Sequence, residues 1–319
     1  MAQSSGAHST TAHIARDKFR ALQIAFLESN KATALIEQRK YESAISMLTK
    51  VLRDCQRFIR ESVQADDFDE NTVYRTSAFL DLDRCMKYTC NRPYEETYGG
   101  GGKQEILDDN DCETMTSQAI VFEDFQCFVE MQHSSNNQDR RARSFYMYKK
   151  PIKLPPYLFK DEATLRRCPI SSVFVFLSSV LTFNMALAHQ LSAYEMKPQP
   201  DSTSPERHED AHKKLWLKAI RLYEICGTLQ DERDLSDISL FDLATANNLG
   251  IIRMQLSETE KAKECFQFAL SATMLLLNKY SGRYDVERGH GMSQCDIDGF
   301  LRNASSVLWS STIRVAPAA

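Results

Sequence analysis

The sequence has no Cys-x-x-Cys pair, no surplus of positive charge and no apolar leader, and each absence removes a class of function. Its 319 residues carry 39 Lys and Arg against 43 Asp and Glu, a formal net charge of −4. Nucleic-acid phosphates and anionic membrane surfaces both draw on a basic excess, so neither is expected as a partner. The nine cysteines (Cys55, Cys85, Cys90, Cys112, Cys127, Cys168, Cys226, Cys265 and Cys295) are scattered and odd in number. Several sit in apolar helical patterns, which points to reduced, buried thiols and to the cytoplasm, with the nucleus as the alternative. Met1 to Thr11 is polar and small, so a disordered N-terminus at 1–11 without a signal peptide is expected. No Ser-His-Asp or Cys-His order stands out, and neither an enzyme nor a cofactor is expected.

What is present is an ordinary globular composition, 43% hydrophobic and 26% charged, with ample capacity for a core. Residues 12–62 read as a first helical pair with a break near Gln38–Lys40. Ile45, Leu48, Val51 and Leu52 recur at three- and four-residue spacing there. Residues 63–117 are polar and acidic, contain Gly99 to Gly102, and read as a flexible insertion. Residues 118–168 read as a β-containing insertion. Ala119 to Val129 and Ser144 to Tyr148 are rich in β-branched and aromatic residues and would form a small hairpin, with Pro151, Pro155 and Pro156 ending it. Helical pairs return over 169–280, interrupted by a polar loop at 197–209, and 281–319 reads as a capping helix and tail. Ile170 to Ala188 is a 19-residue run without a charge. It holds four serines, a threonine and an asparagine, and reads as a buried helix rather than a membrane span.

Self-comparison shows a repeated pattern. Asn30-Lys31-Ala32 is followed by Tyr41, Ala44, Leu48 and Val51. Asn248-Leu249-Gly250 is followed by Ala262, Phe266 and Ala269. In both, 14 positions separate the asparagine from the small residue of the next helix. Asn184-Met185-Ala186 leads to Ala219, Tyr223 and Cys226 after a spacing of 35, an insertion of 21 residues. This pattern resembles the tetratricopeptide repeat, a pair of antiparallel helices of about 34 residues. Leu249-Gly250 with Ala262, Phe266 and Ala269 matches it best, because small residues let two helices approach and an aromatic fills the gap. The insertions and the terminal segment Gly299 to Asn303 also resemble poorly characterised algal members of that family. The resemblance implies a mainly α, TPR-like helical-hairpin solenoid with a small β-hairpin-containing insertion.

It also implies a non-catalytic scaffold that binds a peptide or partner helix in a concave groove. The groove positions would be Asn30, Thr33, Asn184, Leu187, Gln190, Asn247, Asn248, Ile251 and Met254, with Ser29 and Phe183 on the same face. A side-chain amide donates and accepts at once and so suits an extended backbone, although these asparagines would also serve by bonding within a helix pair. Relatives that receive chaperone tails use groove lysines. This chain has Ser29 and Ala244 there, which disfavours that role. Two alternatives stand beside the scaffold. His208-Glu209-Asp210-Ala211-His212 matches the H-E-x-x-H zinc string, so a zinc-dependent hydrolase using His208, Glu209 and His212 is one. A charged lead-in to the next helix is the commoner meaning of such a string. The other is a structural subunit whose groove is filled by its own 63–168 segment. Gly99 to Lys103 lacks the Ser or Thr of a phosphate loop, and Arg140, Arg141 and Arg143 with Lys149 and Lys150 read as a solvated loop.

Overall fold

The computed structural model describes residues 5–64, five positions between 76 and 82, and residues 145–154, 170–196, 205–229, 239–280 and 293–308. Among the described residues there are seven helices of at least 15 residues and no strand. They are α1 (Ser5–Glu37), α2 (Tyr41–Gln64), α3 (Ile170–Glu195), α4 (Pro205–Thr228), α5 (Leu240–Gln255), α6 (Thr259–Tyr280) and α7 (Gln294–Leu308). Each packs on the helix before it and the helix after it, and α1 also touches α3.

The first and third helix pairs turn in the same way. After α1, Arg39 takes a left-handed φ of 58°, its N–H bonds to Ile36 O, and Lys40 N–H bonds to Leu35 O. After α5, Ser257 takes a φ of 63°, its N–H bonds to Met254 O, and Glu258 N–H bonds to Arg253 O. Both are Schellman caps, which close the open carbonyls of a helix end and reverse the chain within three residues. The second helix of each pair then presents a small residue, Ala44 or Ala262, that is fully buried. A Cβ on Gly250 would come within 3.0 Å of the Phe266 ring, so α5 and α6 approach as closely as the glycine permits.

One continuous core runs through the helices from Leu22 on α1 to Phe300 on α7. α2 is amphipathic, with Ala44, Leu48, Val51, Leu52, Cys55 and Ile59 buried and Arg53, Arg57 and Arg60 exposed. α3 lies at the centre. Val173–Glu195 is long and apolar enough to cross a membrane by composition, and its most apolar window is wholly buried.

Several boundaries differ from those expected. α1 starts at Ser5, inside the stretch expected to be disordered. Ala7, Ala12 and Ala15 favour helix there and no proline interrupts it. Phe79 and Leu82, within the expected flexible insertion, are helical and buried, and Gln56 Nε2 donates to Phe79 O at 2.7 Å. α4 begins inside the expected 197–209 loop, because Pro205 suits the first position of a helix. The proposed first hairpin arm, 119–129, and the loop 134–143 lie outside the described residues. The second arm is described from Phe145. It is extended, and it continues through Pro151 to Leu154 instead of ending at that proline.

Candidate functional site

Residues 145–154 precede α3 in the chain yet touch α1, α3, α5 and α7. On each of those helices one asparagine faces this segment and takes both backbone groups of a single residue. Asn303 Oδ1 accepts from Tyr146 N–H and its Nδ2 donates to Tyr146 O, both at 2.7 Å. Asn248 does the same for Tyr148, at 2.9 Å each way. Asn184 holds Ile152 at 2.8 and 2.9 Å, and Asn30 holds Leu154 at 3.0 and 2.7 Å. In an extended chain the N–H and C=O of one residue point the same way and repeat at every second residue. A column of side-chain amides therefore binds the even-numbered residues as a neighbouring strand would. Pro151 is odd-numbered, so its missing N–H costs no rung.

The amides are themselves held in orientation. Asn248 Nδ2 also reaches Tyr223 Oη at 3.2 Å, and that hydroxyl donates to Gln190 Oε1 at 2.9 Å. Asn247 Nδ2 adds a bond to Tyr146 O at 3.0 Å, and its Oδ1 accepts from Asn303 at 2.7 Å. Side chains of the segment fill the core behind the rungs. Tyr148, Ile152 and Leu154 are buried with the main core, Phe145 stacks on Phe266, and Tyr146 meets Phe300 edge-on. Burial, and then the nearby Asp296 carboxylate, push both the Tyr146 and the Tyr148 phenol far above the usual range.

Lys150, between the Tyr148 and Ile152 rungs, is anchored through its side chain. Its ammonium lies 2.9 Å from Asp296 Oδ2 and 3.2 Å from Oδ1, and 5.9 Å from the centre of the Tyr148 ring. The Tyr146 hydroxyl donates to Asp296 Oδ1 as well. Asp296 also caps α7, since its Oδ2 accepts from Ser293 N–H at 2.9 Å and from Ser293 Oγ at 2.6 Å. The same Ser-x-x-Asp box starts α5 at Ser239 and Asp242. Burial pushes the Asp296 pKa up, but bonds from Ser293, Tyr146 and Lys150 outweigh it and hold the carboxyl below its usual 3.8. Further along, Lys153 pairs with Glu37 at 2.7 Å, while Lys149 points to solvent.

Of the positions expected to line a groove, Asn30, Asn184, Asn247 and Asn248 all bond the segment, rather than only their own helix pair. Ile251 is buried and Met254 packs beside it in a small cluster that also takes Phe145 and Met147. Thr33 instead donates to Asn30 O at 2.7 Å, Gln190 is engaged by Tyr223, and Leu187 belongs to the core. Ser29 and Phe183 are likewise buried. Asn303 and Asp296 were not among the expected positions. Asn303 had a signal in the same Asn-x-small triplet, Asn303-Ala304-Ser305.

The zinc string lies in the first turns of α4. His212 Nε2 is 3.1 Å from Met196 O, and its ring stands edge-on to Trp216; the side chains of His208 and Glu209 are outside the described residues. Among the described residues no three His, Cys, Asp or Glu side chains gather in a metal-binding group. Free thiols are described at Cys55 and Cys226, both buried, at half-buried Cys265 and at exposed Cys295. No protein-family model, curated protein or solved structure matches the chain.

Proposed function

We propose that this chain is a non-catalytic, TPR-like helical-repeat protein whose inner groove binds polypeptide in an extended conformation. A single observation carries the reading: four asparagines, one on every first helix of a pair, each grip the N–H and C=O of one residue of an extended segment. Such rungs read backbone, so they accept any chain whose alternate side chains fit the pockets behind. The two matching Schellman turns and the shared 14-residue spacing support the repeat architecture. On this reading the first helices are α1, α3, α5 and α7, and α7 opens a fourth unit. The protein works as a scaffold or adaptor, and its own residues 145–154 act as a built-in ligand.

The test is a binding competition. A labelled decapeptide with the sequence of residues 145–154 is titrated into the full chain and into an Ile152→Ala/Leu154→Ala chain whose own segment is loosened. A tethered ligand competes at an effective concentration on the order of millimolar. The loosened chain is therefore expected to bind the peptide at least tenfold more tightly than wild type. A further Asn184→Leu/Asn248→Leu change is expected to abolish that binding. Equal affinity of all three chains would remove the groove reading.

A further inference from the structure

The four asparagines bind backbone and so cannot tell one sequence from another. Selection has to come from a group that contacts side chains, is desolvated, and carries a charge that a mismatched ligand leaves unpaired. Asp296 meets all three conditions. It is 2% exposed, sits on α7, and directs both carboxylate oxygens toward the segment at the one even-numbered position without an asparagine rung of its own. Two side chains four residues apart converge on it, the Tyr146 hydroxyl and the Lys150 ammonium.

We propose that Asp296 is the specificity-determining residue of the groove, and that it selects extended segments carrying a tyrosine followed four residues later by a lysine. The proposal rests on the groove reading above and deepens it by naming what the partner must present. The complete pattern read from the built-in ligand is Tyr-x-Tyr-x-Lys-x-Ile-x-Leu. Tyrosine and lysine supply the selective pair, and the second tyrosine and the aliphatic residues fill buried pockets. A partner peptide with this pattern would displace residues 145–154, running in the same direction and in the same register. An acidic or neutral side chain at the lysine position would leave the Asp296 charge buried opposite no cation, which is what makes the site discriminate.

The capping box gives Asp296 a structural duty as well, so loss of binding in an Asp296 variant proves little alone. The informative measurement is coupling between peptide and chain. The probe is the decapeptide of residues 145–154, read by fluorescence anisotropy against the loosened full chain with Asp296 or with Asp296→Asn. Asparagine keeps an acceptor for the Ser293 cap, and far-UV circular dichroism checks that the helices persist. Lys150→Gln in the peptide is expected to weaken binding roughly tenfold or more to the Asp296 chain and by no more than about twofold to the Asp296→Asn chain. An equal loss on both chains, or no loss on either, would overturn the proposal.

A second comparison needs no change at position 296. Because Tyr146 and Lys150 share one carboxylate, the losses from Tyr146→Phe and Lys150→Gln in the peptide must be non-additive on the Asp296 chain. Additive losses would overturn selection by Asp296 even if Asp296→Asn failed to fold. If no chain binds the unmodified peptide, the groove reading itself falls and selection with it. If the unmodified peptide binds but Lys150→Gln binds as tightly, selection alone fails.

Discussion

The two halves of the extended segment are held by different chemistry. Residues 145–150 meet three asparagines, a carboxylate and the rings of Phe266 and Phe300, and their own side-chain polar groups are read. Residues 151–154 meet one amide per bonded residue and bury aliphatic side chains and a proline. On the proposed reading the front half distinguishes among sequences, whereas the rear half, apart from the Lys153–Glu37 pair at its edge, asks only for an extended chain of suitable shape. Affinity and selectivity thus occupy different stretches of one short segment. The selective stretch is the one docked on α7, the last of the described helices.

The largest expected difference comes from the rungs themselves. Asn248→Leu strands the buried N–H and C=O of Tyr148 and is expected to cost about 3 kcal/mol of stability. Asn30→Leu acts on a partly buried pair, where water replaces the amide, and is expected to cost about 1 kcal/mol. Chemical denaturation of the two variants gives both numbers. Equal costs would dissolve the distinction between the halves.

Acid separates the helical body from the selective clamp. Burial, reinforced by Lys218, lowers buried His189 on α3 from 6.5 to about 4, so the neutral ring is part of the folded state. That contribution is whole above about pH 6.5 and is lost as pH falls toward 4, at a total of about 3 kcal/mol. Asp296 has its value depressed, so its contribution is whole above about 3.8 and is lost only as pH falls below that. Unfolding midpoints measured from pH 7 to 3 are expected to drop in two stages, and His189→Gln is expected to remove the first alone. A single drop confined to the range below pH 4 in the wild-type chain would contradict this.

Gly299→Ala sets the clamp against its own helix. A Cβ there would lie 2.2 Å from the Tyr146 ring, too close for the ring to stay. Alanine improves the helix by about 1 kcal/mol, while displacing the ring costs about 1–3 kcal/mol. The expected result is faster amide exchange at Tyr146 and Tyr148, with Ile152 and Leu154 unchanged. Uniform exchange along the segment would show that the halves move together. The smallest effect belongs to the hairpin turn after α5. Ser257→Gly relieves a left-handed backbone and is expected to stabilise by up to about 1 kcal/mol without altering exchange in either half.

Much of this site was visible in the amino acids, but unevenly. Asn30, Asn184 and Asn248 declared themselves because each opens the same short pattern before a helix with a small residue. Asn303 carries the same triplet, yet its helix comes last and reads as a cap, so the fourth rung escaped notice. The concentration of aromatics at Ser144 to Tyr148 announced an extended course. Such content says that a chain is extended but not what it pairs with, and a hairpin partner was the default. Pro151 looked like a terminator, because whether a proline disrupts depends on which parity of residue is bonded, and that is a property of the partner. Asp296 was silent for a related reason. A carboxylate in a helix's first turn is ordinary, and only the fold brings Lys150 to it across 146 residues.

The direction of the segment has a consequence on the ribosome. Its rungs run backward relative to synthesis: Leu154 binds Asn30, which has already been made, while Tyr146 waits for Asn303, 157 residues later. At translation rates of about 5–20 residues per second, that interval is on the order of ten to thirty seconds. Throughout that interval the asparagine that holds Tyr146 does not yet exist, whatever the state of the shape-reading end. Closure of the whole segment is complete only once α7 has emerged.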